Sequence, residues 1–395
     1  MKSKKISDIC DVIGGFAFQS SAMKSEKGKY QVVRMSNLYK GTLDLDRNPS
    51  FLDEIEPRHK QYLLQEGDVL MTLTGTIGKK DYGYSVQIEK QKKLLLNQRV
   101  CLLRPKANKV NGYYLLQLLR SNKFLDQFFE SSIGGTGNQS NVSITILKDM
   151  TVVLPEIIGQ TATVSLLSTW DLATEKTERL IVAKEKRYLW LLSSLISNSK
   201  YPQGHIRDFA SEVSKRNSGA TNQHVLSVTN RNGFVLPEDQ FERRVASSDL
   251  SNYKVVTRGQ YAYNPSRINV GSIARLDDWD SGVLSPMYVV FKINEKKVNS
   301  DFFLHWLESH EAKERIRKSA QGSVRETVSF ADLRAIPFPL PPIDQQRQIA
   351  SILNTAQQEI DLLKKQADAL RRQKHGLIQK LLTGEWRVNI SKEAE

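Results

Sequence analysis

A displacement of 186 positions lays the second half of the chain over the first. Pro155, Gln160, Ser165, Leu167, Thr169, Ala183, Leu191 and Leu195 fall on Pro341, Gln346, Ser351, Leu353, Thr355, Ala369, Leu377 and Leu381. The register extends upstream, where Val142-Ser143 and Leu147 meet Val328-Ser329 and Leu333. A repeat of this length constrains the fold more than any single motif, because each copy must be one structural unit.

The repeated part carries its own periodicity. From Ile349 the steps alternate four and three through Leu353, Ala356, Ile360, Leu363, Ala367, Leu370, Lys374, Leu377 and Leu381. That is the seam of a coiled-coil helix. In the earlier copy the seam reads Thr163, Leu167, Trp170, Thr174, Thr177, Ile181, Lys184, Tyr188, Leu191 and Leu195. Its threonines and Lys184 weaken the stripe and are expected to fix register or mark a bend. Pro341-Pro342 and Gly384 bracket the second run as start and stop signals. A run of about 40 residues makes a rod of roughly 60 Å. One rod needs a partner for its stripe, and the other rod supplies it. The chain therefore divides into a globular block over 1–154, a long helix over 155–200, a second block over 201–341, a second helix over 342–384 and a tail over 385–395.

A length of 395 residues accommodates two such blocks and two helices. Charge narrows the partners. The formal net charge is +14, of which the first block carries +8 and the second +3. An excess of this size favours a polyanion, most often nucleic acid. No run of 18 apolar residues occurs and no apolar leader follows Met1-Lys2, which argues against membrane spanning and secretion. Cys10 and Cys101 stand far apart, as expected of a reducing cytoplasm with no structural zinc.

Within the first block, Tyr30 to Arg34, Val69 to Thr74 and Arg99 to Leu103 read as strands, and Tyr113 to Phe129 has helical spacing. Gly75 to Lys80 and Gly134 to Asn141 read as polar loops. The second block repeats this order with different loops: Leu226 to Asn230, Tyr261 to Asn264, a helix from Phe302 to Ile316, and a loop over Ala320 to Arg325. By this order of segments, rather than by the displacement of 186, Asn230 corresponds to Asn37. One scaffold presents two surfaces.

Catalytic motifs fail on inspection. Gly134-Gly135-Thr136-Gly137 lacks the Lys-Ser/Thr that a phosphate loop needs. Asn264-Pro265-Ser266-Arg267 lacks the second proline and the stacking aromatic of adenine methyltransferases, and no Gly-x-Gly cofactor loop precedes it. Glu295-Lys296-Lys297 and Glu311-Ala312-Lys313 have no partner aspartate for a nuclease site. The six histidines form no i,i+4 metal pair. No catalytic or metal-ligating constellation stands out. The polar loops offer the better candidates for base edges and phosphates: Arg34, Asn37, Thr74, Thr76, Lys79, Gln139 and Asn141 in the first block. In the second they are Asn230, Arg231, Asn264, Ser266, Arg267 and Arg325. Arginine matches guanine O6/N7 and asparagine or glutamine matches adenine N6/N7, while Ser, Thr and Lys hold phosphate.

The layout resembles the DNA-specificity subunit of type I restriction-modification systems. The resemblance is carried by Pro341-Pro342-Ile343-Asp344-Gln345-Gln346-Arg347 before the long helix and by Leu381-Leu382-Thr383-Gly384-Glu385-Trp386 at its end. Gly67-Asp68-Val69-Leu70 and Thr76-Ile77-Gly78 add to it. The first helix departs from the pattern, with Glu156 in place of a second proline and Thr161 in place of arginine. The resemblance implies an α/β (α+β) fold: two target-recognition domains in pseudo-twofold arrangement, separated by two long antiparallel coiled-coil helices. Each domain would read one half of a split double-stranded DNA site, and the helices would set the spacer. It also implies two methyltransferase subunits and restriction subunits as partners, which would carry S-adenosylmethionine, ATP and magnesium. A self-contained methyltransferase or nuclease, and a coiled-coil scaffold that touches no DNA, are the competing readings.

Overall fold

The computed structural model describes residues 2–89, 93–134, 139–197, 200–222, 224–230, 232–237, 249–320 and 327–388. Two compact units emerge, Met1–Lys176 with Ala367–Glu395, and Thr177–Gln366. The division cuts both long helices near their middles, so each unit holds one half of each.

The first unit is built on a four-stranded antiparallel sheet. Its strands are β1 (Cys10–Gly14), β4 (Val69–Thr72), β6 (Ser85–Gln87) and β8 (Val100–Pro105), in the order β1-β8-β4-β6. Val69 to Thr72 is buried at every position, which explains why Val69-Leu70-Met71 is an apolar run without alternation. A smaller sheet places β2 (Tyr30–Val33) between β3 (Phe51–Leu52) and β7 (Leu94–Leu96), with β7 parallel to β2. The third joins β5 (Thr74–Thr76), β9 (Ile133–Gly134) and β10 (Gln139–Asn141) in the order β9-β10-β5. The stretches expected to be polar loops at Gly75 and at Gly134 to Asn141 thus contain paired strands.

The single helix expected from Tyr113 to Phe129 is two, α1 (Gly112–Leu119) and α2 (Asn122–Glu130). The break lies at Arg120 and Ser121; the Ser121 hydroxyl donates to Leu118 O at 2.7 Å and accepts from Phe124 N. It ends one helix and caps the next. One face of both helices packs on the sheet, burying Tyr114, Leu115, Phe124 and Phe128 with Val69, Met71, Cys101 and Leu103.

The long helices are α3 (Ile157–Leu195) and α6 (Ile343–Thr383), of 39 and 41 residues. They run antiparallel, pairing Asp171 with Lys374 in the first unit and Glu185 with Lys364, at 2.7 Å, in the second. Every seam position named from the sequence on either helix is buried or half-buried. The weak positions are satisfied locally: Thr163 and Thr174 hydroxyls donate to Gly159 O and Trp170 O at 2.8 Å. Lys184 pairs across to Glu359 at 2.5 Å. Gly384 ends α6 in the left-handed conformation, φ +80°, which a helix C-terminus takes most cheaply with glycine.

The second unit repeats the four-stranded sheet. Strands β11 (Ala210–Glu212), β13 (Tyr261–Tyr263), β14 (Ile273–Arg275) and β15 (Val289–Ile293) take the order β11-β15-β13-β14. Its helical layer again breaks at a serine, Ser309, between α4 (Ser300–Glu308) and α5 (His310–Ala320). The core differs in kind. Tyr261, Tyr263, Phe291, Phe302, Phe303, Trp306 and Phe338 form an aromatic cluster where the first unit uses mainly aliphatic side chains. Among the described residues no helix is long and apolar enough to cross a membrane.

Each block grips the helix that follows it through one glutamine. Gln160, 1% exposed, accepts from Asn111 N at 2.8 Å and donates to Pro155 O at 3.0 Å and Lys109 O at 3.3 Å. Gln346, also 1% exposed, accepts from Asn299 N at 2.9 Å and donates to Pro341 O at 2.8 Å and Lys297 O at 3.2 Å. Asn111 and Asn299 are in turn the N-caps of α1 and α4. The sequence repeat is therefore a repeat of bonds.

A polar chain ties α3, α4 and α6 together in the second unit. Asp301 accepts from Arg275 at 2.6 Å and from Asn354 at 2.9 Å. His305 lies 2.7 Å from Asn354 and 2.9 Å from the Tyr188 hydroxyl, which donates to Glu308. Burial raises the Asp301 carboxyl, but the bonds from Arg275 and Asn354 outweigh it and hold the group below the ordinary carboxylate range. A depressed carboxylate stabilises the fold above its unfolded pKa of about 3.9, and that contribution disappears as pH falls through the lower folded value. Asp301→Asn should therefore flatten the acid limb of stability. Urea midpoints of wild type and variant are expected to converge as pH falls below about 4; a gap that stays constant on acidification would contradict the assignment.

Candidate nucleic-acid interface

The short sheet β9-β10-β5 gathers four of the polar side chains singled out in the first block. Register pairs Gln139 with Thr76, Ser140 with Gly75, and Asn141 with Thr74. Strand alternation then decides which side chains share a face. Ser140 turns inward, 7% exposed, and meets the Tyr82 hydroxyl at 2.9 Å. Gln139 and Asn141 are exposed on the face they share by register with half-buried Thr76 and buried Thr74. Thr74, 9% exposed, donates to Asn141 Oδ1 at 3.1 Å, so Asn141 is oriented before any ligand arrives.

The turn leaving β5 is braced by one carboxylate. Asp81 accepts from Thr76 N at 2.7 Å and from its hydroxyl at 2.8 Å. The Thr76 backbone bond, its hydroxyl bond and nearby Lys79 hold the Asp81 carboxyl below its usual range. Gly75 allows this closeness: a Cβ there would stand 2.4 Å from the Asp81 carboxylate and 2.5 Å from the Tyr82 ring. Lys79, Ile77 and Ile133 are exposed around this face. Among the described residues the surface offers amide groups on strands, with a cation and apolar flanks.

The remaining candidates fall elsewhere. Asn37 is a correction. It is 2% exposed, accepts from Arg34 N at 2.9 Å and donates to Asp44 O and Arg47 O at 2.8 Å. Both amide protons are used, so Asn37 pins the loop from beneath and presents nothing to a ligand. Arg34 lines a different groove with Lys24, Ser36, Asn97, Gln98 and Arg99. In the second unit, Asn230 is exposed on the turn after strand β12 (Ser227–Thr229) and lines a groove of about 590 Å³ with Asn269, Arg275, Lys313 and Arg317. Thus Asn230 and Asn37, matched by the order of segments in the two blocks, differ in exposure. Asn264 shapes the loop after β13, accepting from Ser266 N at 3.0 Å, and leaves Ser266 and Arg267 exposed. Arg231 and Arg325 lie outside the described residues. Sequence reasoning missed Asn97, Gln98 and Arg99, a polar triplet between two apolar strands.

Comparison with known proteins agrees over most of the chain. A family model described as the type I restriction modification DNA specificity domain matches residues 1–184 and 259–372. The type I restriction enzyme MjaX specificity subunit of Methanocaldococcus jannaschii is 23% identical over 98% of this chain and 93% of its own length. The S subunit of a type I restriction-modification system from M. genitalium shares the fold with a TM-score of 0.57 and 14% identity, covering 99% of this chain and 96% of that one. The HsdS subunit from Thermoanaerobacter tengcongensis follows at 0.50 and 15%, with coverage of 98% and 97%.

Proposed function

The chain belongs to the type I restriction-modification DNA specificity family, and we propose that each of its two blocks reads one half of a split duplex sequence. As a DNA-sequence specificity subunit of such a system, it supplies recognition to a larger complex. The observation that carries the bipartite reading is the duplicated clamp. Gln160 and Gln346 fix two homologous scaffolds on two helices by the same three bonds, while the loops they carry differ. One scaffold twice, with two unlike polar surfaces, suits two unlike half-sites.

In this reading the helix pair acts as the ruler for the unspecified spacer, and the chain itself is non-catalytic. Two methyltransferase subunits dock on it and restriction subunits join outside them; S-adenosylmethionine, ATP and magnesium belong to those partners. Leu189, at 62% exposure, and Trp190, at 65%, give α3 an apolar surface suited to such docking.

The purified chain is expected to bind duplex DNA with an affinity that falls steeply with salt, and to neither bind S-adenosylmethionine nor cleave DNA with added metal. Salt-independent or absent DNA binding would favour a scaffold, and either activity would mark an enzyme. Gln139 gives the sharper prediction. Gln139→Ala should relax one position of one half-site by roughly 1–3 kcal/mol and leave the other half-site unchanged. Competition binding with single-base variants reads this directly; equal weakening on all sequences would make Gln139 a phosphate contact.

A further inference from the structure

A second polar surface of the first unit lies in the groove that Arg34 lines. The groove has a volume of about 810 Å³, and Arg34, Arg99 and Lys24 are its cations, Lys24 being already paired with Asp53; no carboxylate is among the described residues that line it. Asn97, 8% exposed, lines the same groove, and its Oδ1 is buried without a hydrogen-bond partner. Arg34 Nε is buried and unpartnered too. The two residues are neighbours across strands, since Asn97 N donates to the carbonyl of Val33, which precedes Arg34, at 3.1 Å. One orphaned acceptor and one orphaned donor thus belong to residues on neighbouring strands that line the same groove. Each is costly while it lacks a partner, and a ligand that supplies both partners recovers that cost.

Arg99 adds strain. It sits in the turn between β7 and β8 at φ +68°, a left-handed conformation that suits glycine or asparagine. An exposed arginine in a glycine's place aims a guanidinium outward from a tight turn.

We propose that this groove reads the major-groove edge of one G·C pair, with Arg34 and Arg99 donating to guanine O6 and N7 and the Asn97 oxygen accepting from cytosine N4. The inference rests on the DNA-reading function proposed above and assigns part of the first half-site. A G·C edge shows two acceptors on the purine beside one amino donor. The groove offers the complement: guanidinium donors beside an unused amide acceptor. The purine of an A·T pair offers an arginine fork only one acceptor, so the same groups discriminate against it.

The test selects bound sequences from a randomised duplex library with the full-length chain as wild type, Arg99→Gly and Asn97→Leu. Arg99→Gly removes left-handed strain and Asn97→Leu removes an orphaned acceptor, so neither is expected to lose thermal stability. Wild type should select a G·C pair at one position of one half-site. Each variant should lose that preference by about tenfold or more, with the other half-site unchanged. Two half-sites in wild type that persist unaltered in both variants would overturn the groove assignment alone. So would uniform weakening on all sequences, the mark of a phosphate contact. A wild-type chain that selects no sequence would remove the DNA-reading function and this inference with it.

Discussion

Arg104→Ala should destabilise the first unit by about 3–5 kcal/mol, the loss typical of stranding one partner of a buried ion pair. Asp68 is 2% exposed and receives both arms of the Arg104 fork, Nε on Oδ1 at 2.8 Å and a terminal nitrogen on Oδ2 at 2.7 Å. That hydrogen bonding is also the chief reason the Arg104 guanidinium is held more firmly protonated than usual. The only other described bond to the carboxylate is from Gln65 N at 2.7 Å. With the guanidinium gone, the charge stays buried beside one amide. Asp68 immediately precedes β4 and Arg104 lies in β8, so the loss falls on the central sheet. Urea unfolding should show the deficit, and the double variant Asp68→Asn, Arg104→Leu should recover much of it, because a neutral pair leaves no stranded charge. A single variant within about 1 kcal/mol of wild type would show that water or a neighbouring cation replaces the arginine.

Gln346→Ala should cost about 2–4 kcal/mol, summed over three polar groups orphaned at once. Asn299 N, Lys297 O and Pro341 O would each lose a partner at a site 1% exposed. The effect should spread to α4, because Asn299 is its N-cap. Gln160→Ala should produce the matching loss in the first unit, through Asn111, Lys109 and Pro155. Hydrogen exchange with each unit's helices as reporters separates the two: Gln346→Ala should deprotect α4, and Gln160→Ala should deprotect α1. Deprotection of neither helix would mean that the glutamines are spectators.

What was legible in the sequence follows from range and period. The heptad seam could be read because ten positions on each helix share one spacing, and a rod 39 or 41 residues long averages out local exceptions such as Thr174. Gln160 and Gln346 are among the residues that the repeat aligns, and only their buried bonds show why that residue type is needed there. The short sheet β9-β10-β5 was not legible. Gln139-Ser140-Asn141 has no apolar alternation, and its partner at Thr74 to Thr76 comes from more than sixty residues upstream. A strand of three polar residues looks like a loop until its partner is placed beside it. The breaks at Ser121 and Ser309 were masked by apolar spacing that continues in phase across them. Asn37 misled for a different reason: residue type gives the chemistry of an amide, while only the fold shows that both its protons are already spent on Asp44 and Arg47.

The most direct measurement is base-resolved methylation mapping of DNA from cells expressing the complete system, with the wild-type chain and with one heptad inserted into both α3 and α6. Seven residues lengthen a helix by about 10 Å, or roughly three base pairs of duplex. Two half-sites with an unspecified gap are expected from wild type, and the same half-sites with a longer gap from the variant. A contiguous motif, or a gap that ignores the inserted heptad, would contradict two reading blocks spaced by a shared pair of helices.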